Sequence, residues 1–404
     1  MGQCRLFMPG GCSSLDDTVK DLRGRDARAR ETAPTDFTPL SKALEKGELS
    51  FRGFVEHALY DPAEGFYSGA RNPVGPAGDF ITAPRISPVF GYALSRLAGE
   101  FLHRTGDGLC AIVDIGCGDG KLIHSIVENL SPEELRRASF YGVDRSLDRV
   151  PGSLRQSSRI TFFTDPGELP QDRPLLLISN ELFDAFPWAR LVQRQDGLRE
   201  LWVRSGEEGL EWTERDAPPE YAQYFADRNV NLEIGQFADV SLEWGSYYRG
   251  LCDRLVRGLV VTFDYGFPTE RLFDVRIRRY GTAAAFSGHH VHRDLLATPG
   301  SQDLTAHINF SDLMMAGEQA GLHTLQFSRQ ASFLLAIGIT GHPLFAPVEE
   351  EPVTLEAAIA REAARHAARK LVLPDGIGQE MRVLVQGRGV ELEGWSFLKG
   401  VSGR

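Results

Sequence analysis

The sequence predicts an α/β protein built on a mostly parallel sheet, and three observations carry that prediction. Apolar runs recur at 110–115, 140–143, 160–163, 175–179 and 259–263, each followed by polar or helix-spaced sequence. The first run ends in a glycine-rich turn, D-I-G-C-G-D-G at 114–120, after which helical spacing resumes over 121–130. With 404 residues and 42% hydrophobic content, the chain is long enough to bury a sheet covered by helices on both faces.

Taken in order, residues 1–35 mix Arg23, Arg25, Arg28 and Arg30 with Asp16, Asp17, Asp21, Asp26 and Glu31. That mixture lacks the acid-poor character of a mitochondrial transit peptide and reads as a disordered, solvated tail. Residues 36–107 carry Pro and Gly punctuation around helical patterns near 40–59 and 87–104, an N-terminal helical appendage. The parallel-sheet domain is expected over 108–390. Within it, 191–257 breaks the rhythm with charged and aromatic sequence, including Trp202, Trp212, Tyr221, Tyr224, Trp244, Tyr247 and Tyr248. This reads as an insertion or lid near the substrate cleft, whose aromatics mostly serve its own packing. Late runs at 322–327 and 381–386 flank an Ala/Arg/Glu helix at 355–371, which lets a seven-stranded sheet finish on an antiparallel edge. Residues 391–404 read as a C-terminal tail.

Charge and cysteine usage narrow the function. A net charge of −11 speaks against nucleic acid or anionic lipid as partner and suits a cationic one. The five cysteines, Cys4, Cys12, Cys110, Cys117 and Cys252, never form a C-x-x-C pair, so neither a disulfide framework nor a zinc cluster is expected. His289, His290 and His292 have no cysteine or carboxylate cluster at ligand spacing and read as a solvated loop, so no metal is expected. His307 could be an active-site neighbour or a satisfied core histidine. Without a long apolar run or a secretory signal pattern, the chain reads as cytoplasmic, with no membrane insertion.

The turn at 114–120 carries the chemistry. Its glycines, Gly116, Gly118 and Gly120, remove side chains where a ligand could lie against the backbone. The spacing is not the G-x-G-x-x-G of dinucleotide sites, because Lys121 stands where a small residue is needed. The acid before the first glycine, Asp114, suits a cofactor without a pyrophosphate and with a positive charge; S-adenosylmethionine, a sulfonium, meets both conditions. Asp144 ends the next apolar run, where a carboxylate can accept hydrogen bonds from both ribose hydroxyls. Asp165, after the third run, is placed to face an adenine edge. Each of these aspartates could instead cap a helix or a turn.

At the end of the fourth run, Asn180, Glu181 and Asp184 come together at the carboxyl end of the sheet, where open α/β proteins place ligands. Asn180 is expected beside the cofactor. Glu181 and Asp184 form a carboxylate pair able to hold a planar cationic acceptor such as a guanidinium; the alternative is helix capping or ion pairing. Asp79, after Gly78 in a Pro/Gly-rich segment, could fold over the cofactor or form a rigid surface turn.

These segments resemble the MidA-type class I methyltransferases. The likeness is carried by 113–121 (V-D-I-G-C-G-D-G-K), 179–187 (S-N-E-L-F-D-A-F-P) and 78–84 (G-D-F-I-T-A-P). It is extended by A-L-Y-D-P at 58–62, G-F-Y-S at 65–68, D-Y-G at 264–266 and L-T-A-H-I-N-F at 304–310. The resemblance spans about 37–390 and implies a Rossmann-like seven-stranded class I methyltransferase fold, S-adenosylmethionine as cofactor, and Cys117 among the residues lining it. The family includes a mitochondrial complex I assembly factor, which implies a protein partner with a target arginine. Two departures stand out: Asn309 occupies a position where the family often has Asp, and 283–286 replaces an apolar-Arg-Cys-Tyr stretch. Two other functions remain, methylation of a small oxygen or nitrogen nucleophile, and a non-catalytic assembly protein that keeps the fold. The intact glycines and Asp144 speak against the second.

Overall fold

The computed structural model describes residues 38–45, 47–67, 88–287, 290–347, 354–374 and 376–400. The 1–35 tail and the Gly78–Asp79 candidates lie outside them.

The helical pattern near 40–59 resolves into α1 (Thr38–Leu44) and α2 (Phe51–Tyr60), separated by a two-residue strand β1 (Leu49–Ser50). Gly47 breaks the run at φ 124°, and Ser50 restarts it by accepting the Gly53 N–H at 3.2 Å. Next comes α3 (Val89–Arg104), with ten buried residues. The first long strand, β2 (Cys110–Ile115), is buried throughout and leads through the glycine turn into α4 (Lys121–Glu128), which buries Leu122, Ile123, Ile126 and Val127. Three further strands follow, β3 (Ala138–Val143), β4 (Ile160–Phe163) and β5 (Leu175–Asn180).

The interruption then forms its own antiparallel sheet from β6 (Ala189–Arg194), β7 (Gly197–Gly206) and β8 (Gly209–Asp216), followed by α5 (Pro219–Asp227) and β9 (Phe237–Val240). β1 joins its edge by pairing with β7, in the order β1-β7-β6-β9 with β8 on β7. Tyr221, Tyr224 and Phe225 pack with Ala189, Leu191 and Val240 in its small core. The expected boundary at 257 does not describe the packing. α6 (Glu243–Asp253) puts Trp244, Tyr248, Leu251 and Cys252 into the core of the main sheet, as the crossover helix into β10 (Gly258–Phe267).

A short three-stranded sheet of β11 (Ala284–Ser287), β12 (His290–His292) and β13 (Asp303–Thr305) precedes β14 (Ile308–Asn309) and α7 (Phe310–Gln319). The chain ends through β15 (His323–Arg329), α8 (Gln330–Ala336), α9 (Leu355–Lys370) and β16 (Met381–Arg388). Trp395 and Phe397 are buried in the main core, so the expected tail is packed sequence at least there.

The central sheet runs β4-β3-β2-β5-β10-β16-β15, with β14 added beside β10. Strands β4, β3, β2, β5 and β10 are parallel, and β16 is antiparallel to β10 and β15. Side chains alternate between the two faces: Ile112, Leu176, Ile178, Val261 and Phe263 meet α3 and α4, whereas Ala111, Val113, Leu177 and Val260 meet α6 and α7. From β2 the chain moves outward to β3 and β4 and then returns to β5 on the other side of β2. This reversal opens a crevice beyond the carboxyl ends of β2 and β5, where the glycine turn and the 180–187 segment meet.

Candidate active site

The crevice is a cavity of about 660 Å³, within the roughly 300–1,000 Å³ usual for small-molecule sites. Its first wall is the turn after β2. The N–H groups of Gly116 and Cys117 both donate to the Val143 carbonyl, at 2.7 and 3.1 Å, which folds the turn over the end of β3. Gly116 adopts φ 74°, and a Cβ there would meet Leu182 Cδ1 at 2.8 Å. Gly118 adopts φ 57°, and its Cβ would project into open space with nothing within 4 Å. The backbone at Gly118 is therefore bare on the side a ligand could approach. Gly120 differs: it caps α4 and packs against Leu154 and Phe162, and it does not line the cavity.

Asp114 lies at 2% exposure, and one of its oxygens, Oδ2, has no hydrogen-bond partner. Burial, reinforced by the charge of Asp144, pushes its carboxyl up to about 7. A buried, underused carboxylate beside a bare backbone fits a cationic cofactor, whose charge offsets the penalty of ionising Asp114. The buried Cys117 thiol is pushed up in the same way, by burial and by Asp114 and Asp144, and stays protonated. Asp144 lines the cavity and ties the wall together: Oδ2 accepts from Gly118 N–H at 2.8 Å and Oδ1 from Ser146 N–H at 3.3 Å. Each of these oxygens keeps a lone pair for a hydroxyl donor.

Asp165 is not among the lining residues. Its Oδ1 accepts the Gly167 N–H at 2.7 Å, capping a one-turn helix, and its neighbours Thr164 and Pro166 line the cavity instead. That bond turns Oδ1 toward its own turn, so the side chain's position is set locally rather than by the cavity.

The second wall follows β5. Glu181 leaves the strand at φ 52°, one of two non-glycine residues with positive φ among the described residues, and its N–H donates to the Phe263 carbonyl at 2.9 Å. Asn180 Nδ2 donates to Glu181 Oε1 at 3.0 Å, while Asn180 Oδ1 has no partner. Asp184 is buried; Thr305 Oγ1 donates to its Oδ2 at 3.2 Å and its Oδ1 is unengaged. Burial, with Asp264 and Asp303 nearby, holds the Asp184 carboxyl well above the usual range. Asp264, in β10, accepts from the N–H groups of Phe183 (2.9 Å) and Tyr265 (2.8 Å) and is itself raised to about 7 by burial.

Sequence reasoning assigned no role to the third wall. Tyr60 and Tyr67 stack at 5.7 Å; Tyr60 donates to the Ala185 carbonyl at 2.8 Å and Tyr67 to Asp303 Oδ1 at 2.9 Å. Arg145 lies 4.1 Å over the Tyr60 ring and Arg149 5.4 Å over Tyr67. Arg52 pairs with Glu243 at the rim, next to Tyr247. The available signal was the pair of tyrosines in the A-L-Y-D-P and G-F-Y-S segments. His307 is elsewhere: its ring contacts Tyr265 and Phe267 at 6.4 and 5.6 Å, and it does not line the cavity. His290 and His292 lie on β12, and His289 is outside the described residues. Among the described residues no group of three or more His, Cys, Asp or Glu could hold a metal, and no helix is long and apolar enough to cross a membrane. Asn309, the departure from the resembled family, is fully buried, capping α7 and bonding Thr269 and Asp312; it is not a lining residue.

Comparison with known proteins agrees with this architecture. In Burkholderia thailandensis, a protein solved with S-adenosyl-homocysteine superimposes with a TM-score of 0.75 at 28% identity, covering 89% of this chain and 93% of that one. The mitochondrial protein arginine methyltransferase NDUFAF7 of Danio rerio is 27% identical over 334 residues, 74% of this chain and 75% of its own. Its Homo sapiens counterpart is 24% identical over 349 residues, 76% of this chain and 75% of its own. Residues 93–328 match the model of a family described as S-adenosyl-L-methionine-dependent methyltransferase. That match runs from α3 through β15 and takes in both the glycine turn and the Glu181–Asp184 segment, so the chain belongs to this family of MidA-type class I methyltransferases, with S-adenosylmethionine as its cofactor.

Proposed function

We propose that the chain methylates an arginine of a protein partner, with the cofactor on the first wall and the guanidinium on the second. S-adenosylmethionine supplies an electrophilic methyl on a sulfonium, and the rest of the task is alignment. Asp144 takes the ribose hydroxyls, Asp114 faces the cationic end of the cofactor, and the backbone of Gly116, Cys117 and Gly118 forms the floor. Glu181 and Asp184 orient the guanidinium. Asn180 positions Glu181 through its 3.0 Å hydrogen bond.

The observation that carries the reading is Asp184, buried with Oδ1 unengaged in the wall of the same cavity. A buried carboxylate in that state is costly unless a cation arrives. An incoming guanidinium returns it to its ionised form and makes a charge-assisted bond. Overall the transfer forms an N–C bond, breaks the S–C bond and releases one proton from nitrogen, which the Asp184 carboxylate, ionised by the bound guanidinium, is placed to accept. The names of the relatives support the arginine, and the carboxylate pair supports a cationic acceptor.

The test is incubation with a labelled methyl donor and host lysate, then mass spectrometry of labelled species. Label on an arginine of a polypeptide is the expected result. Label confined to a small metabolite would replace this reading with methylation of a small nucleophile.

A further inference from the structure

The carboxyl end of β10 holds a second charged feature, one with no part in the reaction described above. Phe267, the last residue of the strand, is covered by the guanidinium groups of Arg271, Arg278 and Arg382, whose central carbons lie 4.8, 4.0 and 4.8 Å from its ring centroid. Arg329 joins them, because the β15–β16 ladder sets it directly opposite Arg382. Among the described residues their hydrogen bonds go to neutral acceptors: Arg278 to the Arg271 carbonyl, Arg329 to Gln379 Oε1, and Arg382 to the carbonyls of Gln379, Glu380 and Met381. None of the four is ion-paired among the described residues, whereas their neighbours Arg276 and Arg279 pair with Asp274 and Glu233 at 2.7 and 3.6 Å. The carboxylates that act on the cluster at longer range are Glu380, which is exposed, and Asp274, already held by Arg276.

Like charges opposite one another in a ladder repel, more strongly where water is excluded. The cluster shows that repulsion. Burial, with Arg329, Arg271 and Arg278 alongside, pulls Arg382 down to about 10, and burial with Arg271 lowers Arg278. His307, 5.6 Å from the Phe267 ring, is pulled down to about 4 by burial and by Arg278 and Arg382, and its Nδ1 is buried without a partner. A chain of net charge −11 has thus gathered three cations around one ring and a fourth, Arg329, opposite Arg382, with no ion pair to any of them among the described residues. An anion brought from outside would relieve them.

Position indicates where that anion comes from. Phe267 lies three residues beyond Asp264 on one strand, about 10 Å along it at roughly 3.3 Å per residue, and shares a face with Tyr265, the ring on which the charges of Glu181 and Asp184 act. Asp264 holds the segment that carries Glu181 and Asp184. An extended peptide covers the same distance in about three residues. We propose that Arg271, Arg278, Arg329 and Arg382 bind an acidic side chain of the polypeptide acceptor, about three positions from the residue held by Glu181 and Asp184. Arg278 and the buried Arg382 form the base of this subsite; the exposed Arg271 and Arg329 close on the carboxylate, with forked donors suited to it. The inference rests on the reading of the acceptor as a protein.

The test uses fluorescence anisotropy without methyl donor, comparing the full chain with an Arg271→Gln/Arg329→Gln variant, whose changes fall on exposed side chains. Three labelled peptides serve as probes: an arginine peptide with Glu three residues away, the same peptide with Gln there, and an acidic peptide lacking arginine. The full chain is expected to prefer Glu to Gln by about tenfold. The variant is expected to lose most of that preference while melting no lower than the full chain, since it relieves repulsion with Arg382. Equal binding of the Glu and Gln peptides, or a preference that survives the double substitution, overturns the proposal. So does tight binding of inorganic phosphate with no binding of acidic peptide, which would assign a small anion. Selective capture of the arginine-free acidic peptide, lost in the variant, supports the subsite even if no polypeptide is ever methylated, so the two readings fail separately.

Discussion

The backbone N–H of Phe183 donates to Asp264 Oδ2 at 2.9 Å, and this bond fastens the segment that carries Glu181 and Asp184 to β10. Asp264 is fully buried and also accepts from Tyr265 N–H, so its substitution by Asn leaves one of two buried donors without an acceptor. The expected cost is about 1–3 kcal/mol of stability. Because the glycine turn is untouched, Asp264→Asn should reduce methyl transfer while S-adenosylhomocysteine affinity holds. Calorimetry and turnover on one preparation check this split. Unchanged turnover would remove Asp264 from the positioning of the acid pair.

Gly118 and Gly116 fail differently when replaced. Gly118→Ala forces an L-residue to φ 57°, a strain of about 1–2 kcal/mol, and puts a methyl group into the open space proposed for the cofactor. Cofactor affinity should drop about tenfold or more with little rearrangement elsewhere. In Gly116→Ala the new Cβ displaces Leu182, next to Glu181, so cofactor affinity and transfer should both fall. Equilibrium binding and single-turnover assays on the two variants distinguish these outcomes.

Asp114 makes the apo protein sensitive to pH. Its folded value of about 7 lies above the ordinary 3.8, so between those values the folded state binds more protons than the unfolded one. The group's contribution to stability is therefore fully present below about pH 4 and is lost as pH rises through 7, by up to about 4 kcal/mol. Asp264 titrates in the same window, so the comparison that isolates Asp114 is wild type against Asp114→Asn. Urea melts at pH 5 and pH 8 should show a smaller loss in the Asn variant. Cofactor affinity should rise over the same interval in wild type alone, because the cation favours the ionised carboxylate.

Acceptor binding should release protons. The Asp184 carboxyl is raised by burial and by Asp264 and Asp303, and a guanidinium stabilises its ionised form. Affinity for a cationic acceptor therefore rises with pH, with up to about one proton leaving per acceptor bound. Calorimetry in buffers of different ionisation enthalpy counts it. A count of zero, with no pH dependence, would mean that the acceptor does not meet Asp184.

The fold was largely legible because apolar runs report strands wherever both faces of a sheet are buried. All five early runs are strands of the central sheet, and the late pair supplies its antiparallel edge. What periodicity does not carry is which distant segments meet. Nothing in Leu49–Ser50 announces a pairing with β7, and nothing in 243–253 separates a crossover helix of the main core from the insertion before it. The site divides in the same way. Asp114, Asp144, Glu181 and Asp184 stand at strand ends facing the crevice, where topology alone places ligands. Asp165 stands at a strand end too, yet its side chain closes a local turn, a choice that two neighbouring residues decide. Asp303 and Tyr67 lie 236 positions apart in the chain and meet only through tertiary structure.

The account turns on Glu181, so the most direct measurement compares wild type with Glu181→Gln in two assays, S-adenosylhomocysteine binding by calorimetry and labelled methyl transfer to a protein acceptor. The substitution keeps size and removes charge on the second wall alone. Cofactor affinity within about twofold of wild type and transfer reduced by about a hundredfold is the predicted result. Undiminished transfer would contradict the assignment of the acceptor to the Glu181–Asp184 pair.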